Sequence, residues 1–251
     1  MSNKIHSTAI VSPSVRMGKG NIIGPYCTIG DDVVLGKNNQ LINQVTIDSK
    51  VKIGDNNCIY SNTSIGMPGE MGPKGDRKTI EGVTKIGNNN TIRENVCINA
   101  PVYFKATVIG NYNYLMNSSY VAHDVHIGNH VNLTAGVKLA GRVKIEDYVN
   151  LGLNATVHQR ICVGESAMIG MNAVVTKNII PFSVIVGSPG RILKFNKIGA
   201  QRRGLDEETL DGLTQYFSNN FKSADVDANK VIKKISLFIA DNDGVLTHFT
   251  S

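Results

Sequence analysis

The 251-residue chain contains no tryptophan, and aromatic residues make up only 6% of it, so its core must be filled by aliphatic side chains. Its four cysteines, Cys27, Cys58, Cys97 and Cys162, are scattered and form no C-x-x-C pair. Neither a zinc ribbon nor a disulfide framework is expected, and free thiols in a reducing compartment are. No apolar run approaches the ~20 residues needed to span a bilayer. The opening MSNKIHSTAIV has no basic segment followed by an apolar stretch, so no membrane insertion is expected and a cytoplasmic location is. The net charge is +6, yet the 26 lysines and arginines are spread along the chain rather than gathered in a stripe. That distribution argues against nucleic acid and suits phosphates of small molecules or an acidic carrier protein.

What the chain has in abundance is a period of six. Stepping by six from Ile5 meets Val11, Met17, Ile23, Ile29, Leu35, Leu41, Ile47, Ile53, Ile59 and Ile65 without a polar interruption. A second register runs from Ile109 through Leu115, Val121, Ile127, Leu133, Leu139, Ile145, Leu151, Val157, Val163 and Ile169 to Val175. Neither the helical period nor plain alternation produces a strict six. Segments such as Ile29-Gly30-Asp31-Asp32 and Ile53-Gly54-Asp55-Asn56-Asn57 follow the aliphatic residue with types that tolerate positive φ. Each hexad therefore reads as a short strand and a turn, three hexads close one triangular coil, and coils stack at about 4.8 Å.

The expected fold is all-β, a parallel β-helix over residues 1–190, with loops at about 67–85 and 100–107 where the count of six breaks. The first loop is rich in Gly, Pro and charge (MPGEMGPKGDRK), and the second covers the register slip between Ile98 and Ile109. Loops that leave a rigid scaffold are where ligand contacts concentrate. Residues 191–251 form a C-terminal helical domain. There Asp206 precedes Leu210, Leu213, Phe217 and Phe221 on one helical face, and Val231 to Ile239 forms another helix.

Because residues 18 apart lie one above another, His123, Gly141 and Gln159 fall in one column, with Asp124 beside His123 and His158 beside Gln159. Acyl transfer needs a base of near-neutral pKa for the acceptor's proton, and donors for the oxyanion formed when a thioester is attacked. The His123 imidazole supplies the first, and the Gly141 N–H, open to close approach, supplies the second. Asp124 is placed to hold one tautomer of His123 if the two side chains point the same way. His126 and His130 lie close in sequence but on other faces or corners, so no metal site is expected.

Val121-Ala122-His123-Asp124, Ile92-Arg93-Glu94-Asn95-Val96, Val157-His158-Gln159 and Gln201-Arg202-Arg203-Gly204 together give the chain its resemblance to the UDP-N-acetylglucosamine O-acyltransferase family of lipid A biosynthesis, over nearly the whole length. The resemblance implies a left-handed helix and a homotrimer with active sites between subunits. It also implies His123 as general base. By the same resemblance Asp76 and Lys78, from Asp76-Arg77-Lys78, contact the sugar, His158 and Gln159 lie near the sugar and acyl groups, and Asn196 and Arg203 approach the nucleotide. Met171 matches the family's acyl-chain ruler, and a bulky side chain there implies a short or medium acyl group, although a methionine equally suits a subunit interface.

The departures concern the acceptor side. Tyr120 stands where the family has histidine, Arg142 replaces the histidine of L-A-G-H, and Ile98-Asn99-Ala100-Pro101 replaces I-H-R-G-T. The expected reaction is transfer of a short or medium 3-hydroxyacyl group from an acyl-carrier-protein or coenzyme A thioester to a nucleotide-linked amino sugar of lipopolysaccharide, with no bound cofactor. O-acylation of UDP-N-acetylglucosamine is the alternative. A metal hydratase of the carbonic anhydrase type and a catalytically silent spacer also remain open from the residues alone.

Overall fold

The computed structural model describes residues 2–48, 50–70, 82–222 and 229–246. Among these the strands form three faces of 11, 9 and 8 strands, parallel throughout except for the antiparallel strand that ends the first. Face one starts with Lys4–Ile5, face two with Ile10–Val11 and face three with Arg16–Met17, and the chain visits them in that order in every coil. The hexad aliphatics point inward, and Ile29, Ile47, Ile65, Leu133 and Leu151 are all at most 1% exposed. Ile86, Ile92 and Ile98 join the two registers into one core. Ile59 pairs with Ile92 and Ile65 with Ile98 across the first loop, and Ile86 pairs with Ile109 across the second.

One corner of the prism is closed by a column of buried asparagines, Asn21, Asn39, Asn57, Asn90 and Asn113, each at most 2% exposed. The side-chain oxygen of each accepts the backbone N–H of the next, at 2.8 to 2.9 Å. Their amide nitrogens donate to glycine carbonyls at the same turns. Every side-chain polar atom of these asparagines is thus paired, within a stack that can polarise cooperatively. Beyond Asn113 the column continues as Val131, Val149 and Ala167, so the later coils close by apolar packing instead.

Corner residues take left-handed φ even when they are not glycine, among them Asp124 (61°), His130 (56°), Arg142 (65°) and Tyr148 (61°). That conformation is unfavourable for a residue with a Cβ. It is held because the N–H of such a residue donates to a carbonyl of the preceding coil, as Arg142 does to His123 at 3.0 Å and Tyr148 to Asn129 at 2.9 Å.

Beyond residue 190, Arg191–Phe195 turns back antiparallel on Ser183–Val186, and the helices follow. They are α1 (Lys197–Arg202), α2 (Glu207–Ser218) and α3 (Lys230–Asp241). Asp206 caps α2 by accepting from the Thr209 N–H at 2.8 Å. Leu210, Leu213, Tyr216 and Phe217 form its buried face, while Phe221 lies past its end at φ 62° and still packs edge-on against Phe217. Lys234 of α3 pairs with Glu165 of the prism at 2.6 Å. No described helix is long and apolar enough to cross a membrane.

Candidate active site

The corner between faces two and three carries residues 122–125, between the strands Tyr120–Val121 and His126–Ile127. The hexad places His123 at the turn, where its side chain is 16% exposed, and Asp124 beside it at 0%. A sequence neighbour on a strand would point the opposite way. Asp124 escapes that constraint by its left-handed φ, and its Oδ2 lies 2.8 Å from His123 Nδ1. With Asp124 accepting, Nδ1 carries the proton and Nε2 is left as the basic nitrogen.

The Asp124 carboxylate is held in turn by three backbone donors. The N–H groups of Val102, Tyr103 and Phe104 converge on it at 3.1, 3.0 and 2.8 Å, and its own N–H donates to the buried Thr107 hydroxyl at 2.9 Å. A buried carboxylate with this many donors is fixed in place. The loop near 100–107 therefore serves as the cradle of the dyad. The register slip was its visible sign in the sequence, since the excursion sits one coil before the His123 corner, but nothing there indicated which amides would turn inward.

Gly141 lies in the next coil below His123. A Cβ at Gly141 would be 2.5 Å from His123 Cε1 and 2.6 Å from Nε2, so only glycine leaves room for the ring. Its N–H donates to no acceptor among the described residues. Gly69, from the first loop, approaches from above, where a Cβ would be 2.7 Å from His123 Cβ. Arg142 lies with its guanidinium carbon 3.8 Å over the Tyr103 ring, which is itself 5.5 Å from the His123 ring, and its buried Nε has no partner among the described residues. On the other side Tyr120 receives a hydrogen bond from Asn99 at 3.0 Å, with the Glu70 carboxylate close enough to act on its hydroxyl. Burial first, then that carboxylate, pushes the Tyr120 hydroxyl well above the usual phenol range.

The expected site residues do not all meet within one chain. His158 and Gln159 share the corner of His123 and are exposed, with Gln159 one coil below Gly141, as the Arg160 N–H to Gly141 carbonyl bond of 3.1 Å fixes. Arg203 ends α1 beside the corner between faces three and one, where its guanidinium carbon sits 3.6 Å over the Tyr148 ring. Asn196 caps α1, its oxygen accepting from Gly199 N–H at 3.0 Å and its nitrogen donating to the Ser166 carbonyl at 2.8 Å, so its side chain is committed to the fold. Met171 projects from the remaining corner, 67% exposed. Asp76 and Lys78 lie outside the described residues.

A prism of stacked hexads with a histidine–carboxylate dyad at one corner defines a left-handed β-helix acyltransferase. The family of bacterial transferase hexapeptide (six repeats) matches residues 106–141. The chain is 40% identical, over 224 residues covering 88% of it and 85% of the relative, to the acyl-[acyl-carrier-protein]–UDP-N-acetylglucosamine O-acyltransferase of Thermodesulfovibrio yellowstonii. The UDP-N-acetylglucosamine acyltransferase structure from Francisella novicida superposes with a TM-score of 0.91 at 32% identity, covering 96% of this chain and 93% of that one. The enzyme from Bacteroides fragilis gives 0.90 at 29%, covering 96% and 99%. The chain belongs to the UDP-N-acetylglucosamine O-acyltransferase family and is an acyltransferase.

Proposed function

We propose that the enzyme transfers a short or medium 3-hydroxyacyl group from an acyl-carrier-protein thioester to a nucleotide-linked amino sugar in the cytoplasm. The observation that carries the reaction is the His123–Asp124 pair standing directly over the unoccupied N–H of Gly141. His123 Nε2 takes the proton as the acceptor's amine or hydroxyl attacks the thioester carbonyl. The Gly141 N–H receives the oxyanion, and Asp124 stabilises the imidazolium that forms. Collapse expels the pantetheine thiolate, which leaves as the thiol with the proton from His123. These steps call on the chain's own groups and no bound cofactor.

The carrier follows from the relative's own substrate, an acyl-carrier-protein thioester, with coenzyme A as the other donor to test. The amine acceptor is supported by the acidic character of the pocket wall, since the Glu70 carboxylate acts on the Tyr120 hydroxyl, on the strand that leads into the His123 corner, and both suit an N–H donor. The relative's O-acylation of UDP-N-acetylglucosamine supports the second reading. Distribution of His123, Arg203 and Met171 over three corners of one prism supports a homotrimer in which each site draws on two chains. Met171 then limits acyl length.

The test is a matrix of 3-hydroxyacyl thioesters of several lengths, on carrier protein and on coenzyme A, against UDP-N-acetylglucosamine and its 3-amino analogue, with His123→Ala in parallel. Amide product from a short donor, lost by about 100-fold or more in the variant, is expected. Ester formation on UDP-N-acetylglucosamine with no preference for the amine would replace the first reading by the second, and turnover by His123→Ala at the wild-type rate would remove His123 as base.

A further inference from the structure

Three rings at one corner form a column that the reaction chemistry does not use. Tyr112, His130 and Tyr148 occupy equivalent turn positions in successive coils, all at left-handed φ. Their rings stack, Tyr112 on His130 at 4.9 Å and 3°, His130 on Tyr148 at 4.6 Å and 10°. Arg203 closes the column with its guanidinium carbon 3.6 Å over the free face of Tyr148. Its side-chain donors meet no acceptor among the described residues.

The column forms one wall of a cavity of about 400 Å3 that His130, Tyr148, Ser166, Arg202 and Arg203 help to line. Ser166, one coil beyond Tyr148, is 2% exposed, and its hydroxyl has no partner among the described residues although its carbonyl is taken by Asn196. A buried hydroxyl without a partner among the described residues and a guanidinium seated over a ring with its donors free suit a polar, anionic ligand.

We propose that Tyr148 is a positioning residue, its ring fixing the plane of the Arg203 guanidinium so that the arginine's fork faces a phosphate of the nucleotide sugar. The inference rests on the reading of Arg203 as a nucleotide contact. An arginine free in solution samples many rotamers, and a stacked one loses little further freedom when it pairs with a phosphate. His130 and Tyr112 back the Tyr148 ring from the two preceding coils, so the plane is set by the β-helix itself rather than by the helical tail.

The test measures UDP affinity by calorimetry, and KM and kcat for the nucleotide sugar, in Tyr148→Ala, Tyr148→Leu, Tyr148→Phe, Arg203→Ala and the Tyr148→Ala/Arg203→Ala double variant. Tyr148→Ala and Tyr148→Leu should weaken UDP roughly tenfold and raise KM by a similar factor, with kcat within about twofold of wild type. Tyr148→Phe, which keeps the π face, should restore the wild-type value, and the double variant should be no weaker than Arg203→Ala alone. Unchanged UDP affinity in Tyr148→Ala beside a weakened Arg203→Ala overturns the positioning role and leaves the nucleotide contact standing. Unchanged affinity in Arg203→Ala overturns both.

Discussion

Gly141 and His123 occupy the same corner of successive coils so closely that a methyl group on Gly141 would lie 2.5 Å from the imidazole Cε1. The displaced atoms would be those of the proposed base. Gly141→Ala is therefore expected to tilt the ring away from Asp124 and to cover the N–H assigned to the oxyanion. Activity should fall by about 100-fold or more, the scale of losing one oxyanion donor, while the denaturation midpoint stays close to wild type because the aliphatic core is untouched. Normal turnover in this variant would remove Gly141 from the site.

The Asp124 carboxylate accepts from three amides of one loop and from His123 at once. Asp124→Asn keeps the size but turns an NH2 toward N–H donors or toward Nδ1. Two effects should appear together: kcat reduced about 100-fold, and the loop released. Lys105 is exposed beside that loop, so tryptic cleavage there should quicken in the variant and not in His123→Ala. Equal cleavage rates in the two would separate the loop from the carboxylate.

Much of this corner was legible in the sequence because a period of six is a ruler: once Val121 and Leu139 are both inward, His123 and Gly141 must stack. The ruler fails where the chain leaves the prism. Which amides of Val102 to Phe104 turn toward Asp124 depends on the conformation of an irregular loop, and the contact of Arg203 with Tyr148 depends on how the tail folds back. Neither is periodic. The side-chain direction of Asp124 was open for a related reason, since the left-handed φ that brings it to His123 is adopted at corners by many residue types, Tyr148 and Arg142 included.

Asn57 is the middle of the buried asparagine column, accepting from Asn90 N–H at 2.9 Å and donating to Gly87 and Asn39. Asn57→Ala leaves the Asn90 N–H and the Gly87 carbonyl without their partner and removes the amide–amide bonds to Asn39 and Asn90. A loss of about 3 kcal/mol is expected from the unpaired groups. Asn113→Ala, at the apolar end of the column, also strands one N–H and one carbonyl but breaks no amide–amide bond to a neighbouring asparagine, and should cost less. Urea unfolding of both variants checks the order, and an equal cost for the two would argue against a cooperative ladder.

Burial pushes the Cys162 thiol up to about 11, with the Glu146 carboxylate adding to the shift and Lys144 opposing it. A thiol raised in the folded state favours the protonated form there, so its contribution to stability is complete below the ordinary thiol value near 9.0 and is lost as pH rises from there toward 11. Cys162→Ala should therefore flatten the decline in stability across that interval. At pH 8 the native thiol should react with a disulfide reagent far more slowly than after unfolding, because little thiolate is present and access is poor. Rapid labelling of native Cys162 would show that its strand opens.

His123 and Arg203 stand at different corners of one prism, and whether a site draws them from one chain or two can be read by mixing. In a ring of three, each site pairs one chain with the next, so co-expressing His123→Ala and Arg203→Ala chains in equal amounts gives about one quarter of sites with an intact His123 and an intact Arg203. At nucleotide-sugar concentrations well below KM, where Arg203→Ala alone is weak and His123→Ala is inactive, the mixture should recover roughly a quarter of wild-type activity per chain. If both residues came from the same chain, no mixed ring would contain an intact site, and the activity would be only the mean of the two parents. The parents refolded separately and then combined without exchange provide that mean directly, so recovery above it requires a site shared between chains.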